Sequence, residues 1–577
     1  ETLAGQVDLV YIDPPFDSRQ DYKVRISVGD GPDGADQDLA KLSSVIEEKA
    51  YRDTWGKGME SYLQMLYSRL IVLRELLSDR GSIFLHLAPN VSHLARALMD
   101  EVFGPDNFRA EIIWQRTTAH ADTKDFGTIH DSILCFAKSD KHLWNPQFRP
   151  YDESYIKSHY NQVEPDGRRY RLSDLTGAGL RNGATGQPWR GFDPATKGRH
   201  WANEPTRLDA WDAEGRIYWP RKPGGWPAYK RYLDDMPGQP LGDIWDDVFA
   251  VNPQAGERLG YDTQKPEALL ERIIRSSSDE GSIVLDCFAG SGTTPAVAER
   301  LGRRWVAVDI GRFAIHTTRK RLMDIPGCKA FEVANLGRYE RQVWQQATTG
   351  PAYGAYLDFL VELYGATPLA GFAHLHGTLA TTAVHVGAVD APVSAAEIKD
   401  ALDEAKTAGY ACLDVLGWEW ELGLHDLIAD EARGRGVQLR LRRIPREVMD
   451  PRVVASGEVV FHELAYAKVA TTVRGRTVNV ALEDFVLPNP DLVPPSVRDK
   501  ISGWADYVDY WAVDFTFETG GDDTFRNQWQ SYRTRASRVL ELTAQHDYDE
   551  PGPHTVLVKV VDVFGNDTTT AVPVSVK

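Results

Sequence analysis

The 577-residue chain carries little cysteine, and its four residues (Cys135, Cys287, Cys328, Cys412) lie far apart with no CxxC spacing and no adjacent histidine pair. That scarcity excludes a disulfide framework and a zinc-ligand set, so no metal is expected, and it suits a reducing cytoplasm. No apolar run reaches the roughly eighteen residues a bilayer-spanning helix needs, and no membrane role is expected. No basic, apolar and small-residue signal pattern opens the chain. Internal repeats and low-complexity tails are absent too. So is an initiator Met, and residue 1 is therefore expected not to be the natural start.

Positive charge is also in deficit, with a formal net charge of −18. Its distribution matters more than its sum. Between Pro146 and Arg231 there are 15 Lys/Arg against 10 Asp/Glu, whereas Ala352 to Lys577 holds 20 against 33. The acid sits at the back of the chain and a central segment is locally basic, so nucleic acid is not excluded as a partner.

What is present begins with Val7–Ile12 (VDLVYI), a short β-branched run expected to form a strand buried on both faces. Met59–Leu77 has helical spacing through Tyr62, Met65, Leu66, Leu70 and Leu73, and Arg80-Gly81 is expected to end that helix. Ser82–Leu87, Ala110–Trp114 and Ser132–Ala137 follow as strands, with a helix near Val91–Val102 between them. From 145 to 250 the rhythm breaks into Gly, Pro, Arg and aromatics, with 13 Phe/Trp/Tyr between Pro146 and Arg231. It resumes with a helix at Pro266–Ser276, a strand at Ser282–Asp286, the turn CFAGSGTT and a strand at Trp305–Asp309. A second βαβαβ stretch spans Val384–Val389, Ala395–Ala408, Ala411–Leu416, His425–Arg433 and Val437–Ile444. The last hundred residues alternate as in an all-β domain. Helices alternating with buried strands indicate α/β domains with a mainly parallel sheet.

Two motifs carry chemistry. In VLDCFAGSGTT (284–294), Gly290 and Gly292 follow a strand and open a helix, where missing side chains let a cofactor lie against backbone N–H groups. Asp309 ends the next strand, 19 residues beyond Gly290, where an acid can accept hydrogen bonds from ribose hydroxyls. Thr293-Thr294 stand where G-x-G-x-x-G would place its third glycine, which disfavours NAD; S-adenosylmethionine, lacking phosphates, needs no such cradle. A packing turn between strand and helix would use the same glycines, and that reading stays open. In the other motif, Asp13-Pro14-Pro15-Phe16, the prolines fix φ and remove donors, leaving carbonyl acceptors in a stiff loop. An exocyclic amine has two N–H groups, which the Asp13 carboxylate and a proline carbonyl can accept together while Phe16 stacks on the base. A strand-ending turn would also use Asp and Pro.

A strand–DPPF element followed far downstream by a strand–DxFxGxG element resembles the β-group amino-methyltransferases of DNA, and ERLGYDTQKPEALLERII and GRRWVAVDI are similar to the modification subunits of type III restriction–modification systems. The resemblance covers residues 1 to about 345 and is weaker beyond. It implies a circularly permuted, Rossmann-like S-adenosylmethionine-dependent methyltransferase sheet; the pattern beyond adds a second α/β region and a C-terminal all-β domain, whose PGPHTVLVKVVDVFGNDT resembles Ig-like or PKD-like modules. Expected boundaries are 1–145 (catalytic half), 146–250 (inserted target recognition), 251–345 (cofactor half), 346–485 (second α/β) and 486–577 (β-rich).

The implied reaction is methyl transfer from S-adenosylmethionine to adenine N6 of flipped, double-stranded DNA, with Asp13, Pro14, Pro15 and Phe16 catalytic. Asp286, Phe288, Gly290, Gly292, Thr293 and Asp309, with Thr263 and Lys265 of TQKP, are the implied cofactor residues. DNA contacts are expected among Arg168, Arg169, Arg171, Arg190 and Arg199, and among Arg221, Lys222, Lys230 and Arg231; alternatively, the inserted aromatics fill a small core of their own. The acidic C-terminal half is expected to dock a second copy, a helicase–nuclease or another defence protein. Cytosine N4 as acceptor, or a non-catalytic recognition or scaffold subunit, are the competing readings. His86 reads as a satisfied core histidine and Cys287 as a packing residue. Members of such families usually carry tens of residues before the DPP motif, which are expected to be missing here.

Overall fold

The computed structural model describes residues 3–15, 24–27, 36–39, 59–118, 126–222, 224–252, 254–261, 263–334, 350–389, 391–421, 432–445, 448, 459, 461–463, 465–487, 501–518, 524–533, 539–563 and 567–577. It divides into two units, 1–143 with 245–577, and 144–244.

β1 (Val7–Ile12) is buried at every residue but Asp8, and full burial of each Val, Leu or Ile side chain contributes about 1.5–3 kcal/mol. α1 (Met59–Leu76) buries Tyr62, Leu66, Leu70 and Leu73, one stripe at helical spacing. β2 (Leu77–Leu87) follows without a break. Arg80-Gly81 therefore lies inside a strand, where helix termination was expected. The reason is a bulge: Val7 pairs with Leu77 but Leu9 with Ser82, so three extra residues loop out of the ladder. Gly81 is needed there, because a Cβ would stand 2.8 Å from the Val7 carbonyl oxygen. α2 (Pro89–Phe103) has Pro at its start and Gly104 at φ 87° past its end.

β3 (Phe108–Gln115), β4 (His130–Ala137), α3 (Glu267–Ser277), β5 (Ile283–Asp286), α4 (Thr293–Arg300), β6 (Arg304–Ala307) and α5 (Arg312–Met323) complete this part. Six of the strands run in the order β3-β4-β2-β1-β5-β6. β2, β1, β5 and β6 are mutually parallel, while β4 runs antiparallel to both β2 and β3. From β1 the chain moves to one side of the sheet, and from β5 to the other, which makes the β1/β5 junction a topological switch point.

The unit 144–244 holds a four-stranded antiparallel sheet of Ile217–Tyr218, Ala228–Tyr232, Arg169–Asp174 and Gln162–Val163. Its core is Leu175, Trp189, Trp201, Leu208 and Ile217, with Trp189 edge-on to Trp201 at 5.7 Å. The aromatics of this segment do fill a small core.

Farther along, a six-stranded sheet carries the parallel strands Thr382–Val386, Cys412–Gly417 and Gln438–Arg443. The helix Ala395–Thr407 before Cys412–Gly417 starts at a Ser394/Glu397 capping box. The expected helix His425–Arg433 lies mostly outside the described residues. Two antiparallel sheets then share one core around Trp511, Val480, Val558 and Phe515. Strands Tyr466–Arg474 and Thr477–Val486 were expected in the preceding domain, before a boundary at 485/486. They pair instead with each other and with Thr543–Asp547 of this β region. Among the described residues no helix is long and apolar enough to cross a membrane, and no group of three or more His, Cys, Asp or Glu is placed to hold a metal ion.

Candidate functional site at the C-terminal edge of the sheet

The register Leu9↔Val284 and Val10↔Leu285 brings the two motifs together. Asp13 leaves β1, and the glycine turn leaves β5, side by side at the switch point. Asp13 is mostly buried and its Oδ2 is ion-paired with Lys265 Nζ across 252 residues. Its Oδ1 is buried and has no hydrogen-bond partner among the described residues. Sequence placed Lys265 with the cofactor; here its ammonium sits on the carboxylate of the other motif. Gln264 secures the loop beneath it, accepting from Leu259 N (2.8 Å) and donating to the Glu257 carbonyl (2.6 Å). Thr263 is exposed, Pro14 is buried and Pro15 half-buried, and Phe16 lies outside the described residues.

Around the glycine turn, Asp286 is buried and accepts from Thr294 Oγ1 (2.6 Å) and Phe288 N (2.9 Å). Burial pushes its carboxyl up to about 7, against those two donors and with help from Asp13 and Asp309. Gly290 and Gly292 have φ of 51° and 72°, backbone that L side chains rarely adopt. A Cβ on Gly292 would meet Thr318 Oγ1 at 2.6 Å, so α5 lies directly against the turn. Tyr261 covers Gly290, its ring parallel to Phe313 with centroids 6.3 Å apart.

Asp309 accepts from Gly290 N (2.9 Å) through one oxygen and Gly311 N (2.8 Å) through the other. It ties two loops together, one oxygen on each. Thr293 Oγ1 donates to the Lys265 carbonyl (3.1 Å), linking the turn to the TQKP loop. Sequence reasoning missed buried Arg321, which donates to Thr293 Oγ1 (2.8 Å) and is paired with Glu267 (2.7 Å). Cys287 is a partly buried member of the core, its thiol pushed up to about 12 by burial.

Behind Asp13 runs a chain that no local pattern announces, because its members are 75 and 45 residues apart. Tyr11 Oη lies 2.8 Å from His86 Nδ1, and His86 Nε2 lies 3.2 Å from Asp131 Oδ2. Trp114 packs edge-on to His86 at 5.5 Å. Burial raises the Tyr11 phenol, and Asp13, Asp286 and Asp131 add to the rise. It therefore stays protonated.

The unit 144–244 spends much of its charge on itself. Arg168 pairs with Asp234 and Asp235, Arg190 with Asp209 and Asp212, Arg199 with Asp174, and Lys230 with Glu164. Arg169 donates to the Tyr160 carbonyl. Arg221 and Lys222 are exposed, and among the described residues no ion pair holds them or Arg231. Arg171 and Arg231 stand directly opposite on adjacent strands, a like-charge placement that is destabilising without an anion between the pair.

Residues 7–320 match the family described as DNA methylase. The chain is 32% identical over 314 residues to the Type II methyltransferase M.EcaI of Enterobacter cloacae, covering 54% of this chain and 64% of that protein. It is 30% identical over 302 residues to the type III restriction-modification enzyme StyLTI Mod subunit of Salmonella typhimurium, covering 50% and 46%. The chain thus spans less than two thirds of the length of either relative. Among solved structures, the DNA modification methylase TTHA0409 of Thermus thermophilus, complexed with S-adenosyl-L-methionine, is 16% identical, with 56% of this chain and 88% of that one covered and a TM-score of 0.27.

Proposed function

The chain belongs to the DNA methylase family, and from that premise we propose that it is a site-specific DNA methyltransferase that moves the methyl group of S-adenosylmethionine to adenine N6. The observation that carries this reading is the buried Asp13 Oδ1 beside the glycine turn, which has no hydrogen-bond partner among the described residues. A buried acceptor without a donor costs free energy in the resting protein, and an exocyclic N–H supplies the missing donor. The Pro14 carbonyl takes the second N–H, which turns the nitrogen lone pair away from the ring plane and toward the cofactor side. Rate comes from this positioning.

The residues suit S-adenosylmethionine. Gly290 leaves its side of the turn bare beneath Tyr261 while Gly292 lets α5 close on the other side, and Asp286, Asp309 and Asp13 put acidic groups around a ligand that carries sulfonium and ammonium charges. Asp309, just past the end of β6 beside the glycine turn, is placed to accept from ribose hydroxyls, and Asp286 holds the turn. When bound, the cofactor supplies an electrophilic methyl group. The neighbouring, parallel placement of β1 and β5, with the catalytic strand first in the chain, supports the permuted-sheet reading.

The inserted unit supports target recognition in duplex DNA, with Arg171, Arg231, Arg221 and Lys222 as its available cations. The Mod-subunit relative supports a place in a restriction–modification system, where a helicase–nuclease subunit or a second copy is the partner, in the cytoplasm. Methylation mapping of DNA from cells making this chain, with Asp13→Ala as control, tests the reading. Expected is 6-methyladenine in one sequence context, lost in the variant. 4-Methylcytosine alone would move the acceptor to cytosine N4, and a chain that binds DNA but no S-adenosylmethionine would be a scaffold.

A further inference from the structure

Nothing in the family match reaches past residue 320, yet α5, the last helix of the methylase sheet, is gripped on two opposite faces. On one face Thr318 Oγ1 donates to the Gly290 carbonyl (3.3 Å) and Thr318 fills the space a Cβ on Gly292 would need. One turn on, Arg321 donates to the Ser291 carbonyl (3.3 Å) and to Thr293 Oγ1. The glycine turn therefore takes its shape from this face of the helix.

The other face meets the C-terminal β region. Asp509, on strand Val508–Phe517, is buried and receives Lys320 Nζ at 2.8 Å and His316 Nε2 at 2.6 Å. His316 and Lys320 are one helical turn apart, which aims both at one carboxylate. Burial works against charge on Asp509, yet Lys320 and His316 draw its carboxyl down to about 2. Tyr510 stacks on His316 (centroids 6.4 Å, 12° between planes) and lies under the Arg319 guanidinium at 4.5 Å. Tyr532 Oη donates to the Met323 carbonyl (2.9 Å) at the helix end.

The Lys320 ammonium on the buried Asp509 carboxylate ties this face of the helix to the strand, because a slide would leave a charge unpaired away from water, and the His316 imidazole, whose charged form burial disfavours, packs against the same carboxylate. We propose that the C-terminal β region is a working part of the cofactor site: through Asp509 and Tyr510 it holds α5 against the glycine turn, so that these are positioning residues for S-adenosylmethionine. The inference rests on the functional reading above. It gives the C-terminal sheets a role distinct from partner docking, and it makes coupling reciprocal: what steadies the turn must steady the strand.

Hydrogen exchange on the full-length wild-type chain, with and without saturating S-adenosylmethionine, needs no variant. Exchange across Val508–Phe517 is expected to slow by about 5-fold or more, and to slow less in strand Cys412–Gly417, whose pairing lies with Thr382–Val386 and Gln438–Arg443. Calorimetry then compares Asp509→Asn and Tyr510→Ala with wild type. Both should weaken S-adenosylmethionine by about 5-fold or more and raise its KM, while the KM for DNA stays. Exchange in Val508–Phe517 indifferent to the cofactor, or two folded variants that bind it like wild type, would overturn the proposal. A wild-type chain that binds no S-adenosylmethionine would instead bring down the functional reading, and this inference with it.

Discussion

Adding one methyl group at Gly292 separates two costs that the glycine turn combines. The residue has φ 72°, and its Cβ would lie 2.6 Å from Thr318 Oγ1, 2.8 Å from Thr318 Cγ2 and 2.9 Å from Thr318 Cα. Left-handed backbone costs an L residue about 1–2 kcal/mol. Forcing a methyl into a filled space adds about 1–3 kcal/mol, and here a backbone atom of α5 blocks the way. Alanine recovers about 0.4–1 kcal/mol by stiffening the unfolded chain.

Gly292→Ala is therefore expected to cost about 2–4 kcal/mol. Gly290→Ala makes the internal control: it has φ 51°, but its Cβ would stand 3.5 Å from Tyr261, an ordinary contact, so only the backbone term remains. The difference of about 1–3 kcal/mol corresponds to roughly 5- to 150-fold faster amide exchange, read on peptides spanning 286–300. Thr318→Ala in the Gly292→Ala background should recover part of it, since the side-chain clash goes while the clash with the helix backbone stays. Equal exchange in the two single variants would refute the claim that α5 presses on the turn.

Replacing Lys265 by Met should lower kcat by about 10²-fold through misplacement of Asp13, with partial rescue by Lys265→Arg. A tenfold weaker calorimetric affinity for S-adenosylmethionine at unchanged kcat would return Lys265 to the cofactor. Asp286, raised to about 7 in the fold against about 3.9 unfolded, keeps a proton that the unfolded chain loses. Its contribution is thus full below about pH 4 and lost as pH rises to about 7. The ligand-free thermal midpoint of wild type should fall across that window relative to Asp286→Asn, and parallel profiles would contradict it. Arg171→Ala with Arg231→Ala should make the slope of log K for DNA against log salt shallower by about 2, whereas Arg168→Ala, whose guanidinium is already paired, should leave it unchanged.

Much of the sheet was legible because its strands are short apolar runs with turn residues at both ends. VDLVYI and SIVLD needed no partner to be recognised. The bulge at Arg80-Gly81 was not legible, because a polar pair with glycine inside a strand looks like a stop until a neighbour's carbonyl passes beneath it. The inserted basic residues could not be told apart for a related reason: composition counts charges, but only the fold shows that Asp174, Asp209, Asp234 and Glu164 pair with Arg199, Arg190, Arg168 and Lys230. The start of the β region was misplaced because Tyr466–Arg474 and Thr477–Val486 alternate as well as any strands would after an α/β stretch. Only their pairing with Thr543–Asp547 assigns them.

By itself the sequence determined what depends on local chemistry, namely where chain direction changes, which glycines open a helix after a strand and which acids end strands, and its paired motifs carried the family resemblance that implied the reaction class. Tertiary structure alone decided what depends on distance through space. It set Lys265 on Asp13, ran Tyr11, His86 and Asp131 behind them, and brought Asp509 to α5 from outside the family match. Those contacts join residues dozens to hundreds of positions apart, and an ion pair leaves no periodicity in either segment, so nothing short of the folded chain could have paired them.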